Sequence, residues 1–151
     1  MAEVNGVIGV PPAAVWTTLS DGWLYATWVI GTSKIRSVDR DFPAEGTKIH
    51  HGFGLWPVMI EDESEVLECQ PEQRLVLQAR GWPMGEATTV IELQPSGTGT
   101  ALRLFETPTK GPGAWVHNPL LEAVLHKRLT EMLDRLTRIC EGRAGMTPPP
   151  D

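Results

Sequence analysis

Residues 118–142 read NPLLEAVLHKRLTEMLDRLTRICEG, and this stretch decides the fold. Its apolar residues recur at steps of three and four, which is the spacing of one face of an α-helix. That face consists of Leu121, Leu125, Leu129, Met132, Leu136 and Ile139. Asn118 suits the N-cap, Pro119 the first helical position, and Gly142 the C-terminal end. The pattern predicts a helix of roughly 35 Å, at about 1.5 Å per residue, whose apolar face needs a large apolar partner.

The chain upstream of this helix has the pattern of strands that could provide that partner. After a first strand at 3–10, prolines and glycines delimit two short predicted helices at 12–19 and 22–30. Period-two segments separated by tight turns then predict strands at 34–40, 47–53, 58–69, 74–80, 87–93 and 100–107. Short turns make consecutive strands antiparallel, and strands followed by one long helix are typical of the α+β class. A sheet that curls around the helix leaves a cavity, where we first expect a ligand.

Length, charge and hydropathy disfavour several classes of protein. The chain has 151 residues, which predicts one ligand-binding domain at 1–142 and a disordered tail at 143–151 that carries three prolines. Its 13 basic and 19 acidic residues give a net charge of −6, which disfavours binding to nucleic acid or to an anionic membrane surface. No apolar run approaches the ~20 residues of a membrane span, and the first residues lack the basic segment of a secretory signal. We therefore expect a cytoplasmic protein, either a monomer or a homodimer.

Several stretches, in this order, resemble the START-like helix-grip superfamily, also called SRPBCC. They are PAAVW at 12–16, LSD at 19–21, WVIG at 28–31, Phe42-Pro43 with Gly46, HHG at 50–52, the hairpin at 93–100, Glu106 followed by Gly111-Pro112, and Arg128 with Leu133, Arg135 and Leu136. The similarity is greatest to the polyketide cyclase/dehydrase and lipid-transport group of actinobacterial type. Phe42 and Leu129 depart from that group, which often has Trp and Asn there.

The resemblance implies a helix-grip (START/Bet v-like) fold. In that fold a curved antiparallel sheet of about six or seven strands surrounds a long C-terminal helix, and two short helices follow the first strand. The resemblance also implies an internal cavity for a hydrophobic small molecule that is lipid-like or polyketide-like. Some members of the superfamily catalyse ring closure or dehydration, so the fold indicates a pocket more firmly than a reaction.

His51 is the first candidate for chemistry in that cavity. It follows His50 directly, so the two side chains point to opposite sides of a strand. His51 shares a side with Thr47, Ile49 and Phe53, which we take as the cavity side. It could act as a general acid or base, or donate to a ligand oxygen, although a histidine hydrogen-bonded within the sheet is the more ordinary role.

Glu106 is the second candidate, because it shares the parity of Leu102 and Leu104 and is predicted to face inward. An inward carboxylate either pairs with a base or has a raised pKa. Arg128 and Arg103 are both possible partners. A structural ion pair is one interpretation, and a catalytic couple with His51 is the other.

The remaining predicted ligand contacts are aromatic and apolar residues around the cavity, together with Asp62, which shares the side of Ile60 in an otherwise solvated acidic run. The set consists of Tyr25, Trp28, Ile49, Phe53, Trp56, Ile60, Asp62, Leu77, Trp82, Leu104, Leu125, Leu129 and Met132. Glycines at 111 and 113 would allow residues 109–115 to act as a lid.

We expect neither a cofactor nor a metal, because the chain lacks a phosphate-binding glycine loop and histidines at metal-ligand spacing. Three functions remain open. The favoured one is binding of an apolar or aromatic small molecule in the cavity. The second is a cyclase or dehydratase that uses His51 and Glu106 as acid and base. The third is a protein-interaction module, which requires an exposed apolar patch instead of a pocket.

Overall fold

A computed structural model describes residues 2–55, 57–82, 85–111, 114 and 118–145. The first part of the chain forms β1 (Ala2–Ile8), α1 (Pro12–Leu19), a 3₁₀ turn (Gly22–Leu24) and α2 (Tyr25–Trp28). The sheet continues through β2 (Thr32–Val38), β3 (Lys48–Leu55), β4 (Val58–Gln70), β5 (Arg74–Gly81), β6 (Gly85–Ser96) and β7 (Gly99–Lys110). The last helix is α3 (Pro119–Gly145).

The seven strands form one antiparallel sheet in the order β1-β7-β6-β5-β4-β3-β2. Neighbours in the chain are neighbours in the sheet, except that β1 pairs with β7 and so makes the second edge. The curved sheet, the long C-terminal helix and the short helices after the first strand are those of the helix-grip fold. The prediction of an α+β protein of this kind is confirmed.

Helix α3 begins where the sequence predicted and ends later. The amide of Leu120 donates to the Asn118 side-chain oxygen over 2.8 Å, which satisfies one of the free donors of the first turn. At the other end the helix continues past Gly142 to Gly145. Arg143 lies in this extra turn and donates to the Thr18 hydroxyl over 3.3 Å, which ties the turn to α1. Residues 146–151 of the predicted tail lie outside the described residues.

The inner face of α3 covers the concave side of the sheet. Leu129, Met132 and Leu136 are each at most 1% exposed, as the helical spacing predicted. The helix approaches β1 closely, since a Cβ on Gly6 would lie 2.8 Å from Leu133 Cδ2. The first turns of α3 are different, because Val124 remains 56% exposed. Val124 and Leu125 at this end of the helix line a space between α3 and the sheet.

The second predicted helix, at 22–30, is shorter than expected and consists of the 3₁₀ turn followed by α2. Asp21 begins it by accepting a hydrogen bond from the Trp23 amide over 3.1 Å. The Tyr25 and Trp28 rings then meet edge to face, with centroids 5.7 Å apart, and both side chains are buried. Helix α2 thus places Tyr25 under the first turns of α3. None of the helices within the described ranges has the length and hydropathy to cross a membrane.

Candidate functional site

A pocket of about 390 Å³ opens between the first half of α3, helix α2 and the inner face of the sheet. This volume lies within the range of about 300–1,000 Å³ that is usual for small-molecule sites. The pocket is lined by Tyr25, Val29, Thr32, His51, Ser64, Ala79, Arg80, Gly81, Gly85, Glu86, Ala87, Thr89, Glu106, Pro108, Lys110, Val124, Leu125 and Arg128.

Two other depressions are larger, at about 690 and 480 Å³. The first lies beside the start of α1, and the second lies over β1, β6 and β7. Among the described residues, no buried titratable side chain lines either of them. The polar chemistry of the interior is therefore concentrated in the pocket under α3.

His51 forms part of a hydrogen-bonded group on the β3 and β4 wall of this pocket. Its side chain is only 3% exposed, and Nε2 lies 2.9 Å from the Ser64 hydroxyl oxygen on β4. The Tyr25 ring stacks on the imidazole, with centroids 6.2 Å apart and an angle of 14° between the planes. Nδ1 of His51 is buried and has no hydrogen-bond partner among the described residues. One polar atom on this wall is thus left unsatisfied.

Burial determines the protonation state of both rings. It lowers the pKa of His51, and the nearby carboxylate of Asp62, which is directly opposite on β4, opposes the shift only in part. Burial raises the pKa of Tyr25, and the Ser64 hydroxyl is the largest opposing influence. Both side chains are therefore neutral near pH 7.

Glu106 and Arg128 form an ion pair on the opposite wall. Arg128 Nη1 donates to Glu106 Oε1 over 2.6 Å, and the Thr89 hydroxyl donates to Oε2 over 2.9 Å. Arg128 also donates from Nε and Nη2 to the carbonyl oxygen of Ile30, over 3.1 and 3.0 Å. Both carboxylate oxygens are engaged, and the ion pair joins α3 to β7 and to the chain that follows α2.

The sequence left two possible partners for Glu106, and the structure selects Arg128. Arg103 lies on the outer face of β7 instead, where it pairs with Glu3 at 2.8 Å and with Glu92 at 3.1 Å. Since successive residues of a strand alternate between its faces, an arginine three residues before Glu106 lies on the opposite side of the sheet.

Opposite charges lie together at the rim of the pocket. Glu86, whose side chain is 6% exposed, lies 2.9 Å from Arg80 Nε and 3.2 Å from Lys110 Nζ. Burial raises the pKa of Glu86, but the pairing with Lys110 and Arg80 outweighs it and holds that pKa below its usual value. Opposite charges at this rim of the pocket thus already neutralise one another.

The predicted site residues fall into four groups. Tyr25, His51, Glu106 and Leu125 line the pocket. Trp28, Ile49, Leu77, Leu104, Leu129 and Met132 are at most 2% exposed in the closed core and do not line it. Ile60, Asp62 and Trp82 are not on the pocket wall either, and Asp62 accepts from the Trp82 amide over 3.1 Å. The Phe53 side chain, Trp56 and, in the predicted lid, residues 112, 113 and 115 lie outside the described residues.

Sequence reasoning missed several polar residues of the pocket, among them Ser64 and Thr89. Ser64 lies two residues after Asp62, so the alternation of β4 already placed it on the inner side. Thr89 lies directly opposite Glu106 in the pairing of β6 with β7. Only the register of that pairing reveals this contact. Within the described ranges, no group of three or more His, Cys, Asp and Glu side chains is placed to hold a metal ion.

Comparison with solved structures supports the fold. Protein NE0264 from Nitrosomonas europaea superposes with a TM-score of 0.72 at 21% identity, and the match covers 95% of each chain. The Zhui aromatase/cyclase from Streptomyces sp. R1128 superposes with a TM-score of 0.70 at 17% identity, over 95% of this chain and 94% of that one. Ara h 8.0201 gives a TM-score of 0.69 at 11% identity, over 93% and 96% of the two chains. At these identities the likeness concerns the fold alone.

Sequence comparison identifies the family. No curated protein matches the chain significantly. The family model described as polyketide cyclase / dehydrase and lipid transport matches residues 1–141, which is nearly the whole chain. The family suggests a ligand-binding or polyketide cyclase-type function. The chain belongs to the polyketide cyclase/dehydrase and lipid transport family, within the START-like helix-grip superfamily.

Proposed function

We propose that this protein binds a small, largely apolar aromatic molecule in the pocket under α3, and that His51 holds the polar group of that molecule. The observation that carries the proposal is the buried Nδ1 atom of His51, which has no partner among the described residues. A buried polar atom without a hydrogen bond costs about 1–3 kcal/mol. A ligand that supplies the missing bond removes this cost, so the free pocket favours occupancy.

The other walls suit the apolar part of such a molecule. Val29, Leu125 and Pro108 offer aliphatic surface, and the small side chains of Ala79 and Ala87 leave room above the sheet. Each Å² of apolar surface removed from water contributes roughly 25 cal/mol. The Tyr25 ring, stacked on His51, adds an aromatic surface beside the polar group.

Native mass spectrometry of freshly purified protein, with the denatured mass as reference, tests this proposal. We expect either a stoichiometric small-molecule adduct that is lost on denaturation, or uptake of one equivalent of added 2-acetylnaphthalene by protein purified without an adduct. The matched variants are Ala79→Leu, which fills the pocket, and Ala101→Leu, which lies on the outer side of β7 beside a different depression. Uptake that is equal in both variants, or absent from the wild type, would contradict the proposal.

A second candidate function is acid–base catalysis of the cyclase or dehydratase type. It is supported by the presence of His51 and Glu106 on the walls of one pocket. In a dehydration, the neutral imidazole would donate to the carbonyl oxygen of a β-hydroxy ketone, and Glu106 would take the α-proton after separating from Arg128. The C–H and C–O bonds break, the C=C bond forms, and the hydroxyl group leaves as water with that proton.

The dehydration can be followed with 4-hydroxy-4-(2-naphthyl)butan-2-one, whose product is a conjugated enone with strong near-ultraviolet absorption. We expect turnover to fall in both His51→Ala and Glu106→Ala if this second function operates. Unchanged turnover in both variants would exclude it and leave binding as the function. The third possibility, an interaction module, has less support, because the large exposed apolar side chains of the described residues are spread over five places in the chain, and only Leu120 and Val124 share an element. They are Val7, Trp23, Leu67, Trp82, Leu120 and Val124.

A further inference from the structure

We infer that the ion pair of Arg128 and Glu106 makes the pocket selective for ligands that carry a neutral oxygen acceptor, such as a ketone, over ligands that carry a carboxylate. Arg128 supplies N–H donors to the ligand oxygen, and Glu106 cancels the charge that would otherwise attract an acid. The inference rests on the proposed function, because it names the second polar group of a molecule held in the same pocket. His51 meets the first polar group on the opposite wall.

Arg128 has N–H groups that are not used within the protein. A guanidinium carries five N–H donors and no acceptor, and it remains charged in proteins. Nε and Nη2 of Arg128 donate to the Ile30 carbonyl oxygen over 3.1 and 3.0 Å, and Nη1 donates to Glu106 Oε1 over 2.6 Å. One N–H group on Nη1 and one on Nη2 therefore have no acceptor among the described residues. Since the guanidinium can only donate, the ligand atom that meets it must be an acceptor.

The guanidinium is positioned before a ligand arrives. Arg128 lines the pocket, and its side chain remains 24% exposed. Its three hydrogen bonds reach two separate parts of the chain, the carbonyl group of Ile30 after α2 and the carboxylate of Glu106 on β7. A side chain that is already fixed loses little conformational freedom on binding, so most of the energy of a new hydrogen bond contributes to affinity.

Glu106 determines which kind of acceptor the site takes. Its side chain is 7% exposed, and its two oxygens accept from Arg128 and from the Thr89 hydroxyl over 2.6 and 2.9 Å. A ligand carboxylate on Arg128 would place a second negative charge beside Glu106 in a region largely removed from water, where like charges repel strongly. A neutral carbonyl oxygen accepts from the same N–H groups without that repulsion. The ion pair therefore favours the ketone.

The other basic side chains of the pocket offer no alternative site for a carboxylate. Arg80 Nε lies 2.9 Å from Glu86 Oε1, and Lys110 Nζ lies 3.2 Å from Glu86 Oε2. Arg80 also lies 3.4 Å from Glu63 and 3.3 Å from Glu65. Every lysine and arginine that lines the described part of the pocket thus has an acidic partner.

Three naphthols test the inference. Each carries a hydroxyl group for His51, which can both donate and accept, and they differ only at carbon 6. The substituent is acetyl in 6-acetyl-2-naphthol, isopropenyl in 6-isopropenyl-2-naphthol, and carboxylate in 6-hydroxy-2-naphthoate. Isothermal titration calorimetry near neutral pH measures the three affinities. We expect the acetyl compound to bind the wild type at least about tenfold more tightly than either of the others.

Glu106→Gln removes the negative charge and keeps an oxygen for Arg128. In this variant 6-hydroxy-2-naphthoate should gain at least about tenfold in affinity, because a carboxylate accepts strongly from an uncompensated guanidinium. Asp134→Asn is the matched control, since it changes the net charge equally on the exposed side of α3, where Asp134 pairs with Arg138. It should leave the order of the three affinities unchanged. In Arg128→Met/Glu106→Gln, the preference for acetyl over isopropenyl should fall toward unity.

The outcomes separate the inference from the proposed function. Equal binding of the acetyl and isopropenyl compounds to the wild type, or an equal or tighter affinity for the naphthoate, would overturn the inference and leave the pocket as a binding site. An unchanged naphthoate affinity in folded Glu106→Gln would overturn it as well. The comparison in the wild type requires no variant, so it decides the question even if Glu106→Gln does not fold. If none of the three naphthols binds, the proposed function fails for this ligand class, and the inference fails with it.

Discussion

Arg128 Nη1 lies 2.6 Å from Glu106 Oε1, and this ion pair joins α3 to β7 at the wall of the pocket. The side chains are 24% and 7% exposed, so most of the pair is removed from water. Removing one partner of a buried ion pair leaves an uncompensated charge, at a cost of about 3–5 kcal/mol. Arg128→Met should therefore lower the free energy of unfolding by about 3 kcal/mol, measured by urea denaturation.

Two further variants make that result interpretable. Arg138→Met removes a partner of Asp134 on the exposed side of α3, where the side chains are 76% and 47% exposed, and should change stability by less than about 0.5 kcal/mol. The double variant Arg128→Met/Glu106→Gln should recover part of the loss, because no charge is left unpaired. Equal effects of the two arginine substitutions would show that the pair near the pocket contributes no more than a surface contact.

Stability should fall as the pH decreases below about 6.5 because of His51. Its folded-state pKa lies below the ordinary value of 6.5, so the unfolded chain takes up the proton first as the pH falls. The free energy of unfolding therefore decreases below pH 6.5, and this contribution becomes constant below the folded-state pKa. The charged groups that influence this pKa after burial are Asp62, Arg36, His50 and Glu63.

Thermal unfolding at about pH 7.5 and about pH 5.5 measures this dependence. In His51→Gln the difference between the two melting temperatures should shrink, because the side chain that takes up the extra proton on unfolding is absent. Carboxylates with lowered pKa values, such as Glu63 and Glu86, reduce the stability of the fold only when they take up protons. That happens nearer pH 4.5, which lies below the two pH values compared here. An unchanged pH dependence in His51→Gln would contradict a neutral, buried His51.

Leu129 should contribute to stability through packing alone. It is fully buried among apolar side chains, whereas Leu120, nine residues earlier on the same helix, is 70% exposed. Leu129→Ala should cost about 2–5 kcal/mol, and Leu120→Ala well below about 1 kcal/mol. Urea denaturation measures both losses, and they can be compared directly if the two variants have equal m-values. A small loss in Leu129→Ala would show that the core under α3 is loosely packed.

The N-cap of α3 should be worth about 1 kcal/mol. Asn118→Ala removes the acceptor for the Leu120 amide, while Asn118→Asp keeps an oxygen at that position. We expect the alanine variant to lose about 0.5–2 kcal/mol and the aspartate variant to remain close to the wild type. If both variants lose the same amount, the cap is not what stabilises this end of the helix.

Local periodicity was sufficient to predict the elements and the direction of their side chains. The spacing of Leu129, Met132 and Leu136 placed α3 over the sheet, and the parity of Glu106 with Leu104 turned that carboxylate inward. Asn118 was identified as the cap from its residue type and position. These features depend only on residues that are close together in the chain, so they can be predicted from a single sequence.

The depth of each side chain in the core and the register of the strand pairs could not be predicted from local sequence patterns. The concave face supplies both the closed core and the pocket wall, and alternation cannot separate Ile49, which is in the core, from His51, which lines the pocket. The contact of Thr89 with Glu106 depends on how β6 and β7 pair. Alternation along β7 is enough to put Arg103 on the other face, but only the position of α3 brings Arg128 to Glu106. Such long-range relationships arise only when the sheet closes around the helix.

The most direct test of a ligand site at His51 is an amide NMR titration of ¹⁵N-labelled protein with 2-acetylnaphthalene. The account predicts saturable shifts at Ser64, Thr89 and Leu125 on the pocket walls, which disappear in Ala79→Leu and persist in Ala101→Leu. It also predicts that the side-chain ¹⁵N signals of His51 move on binding. Two results would contradict it. One is a set of shifts confined to the outer face of the sheet, around Glu92 and Arg103. The other is equal shifts in Ala79→Leu and Ala101→Leu.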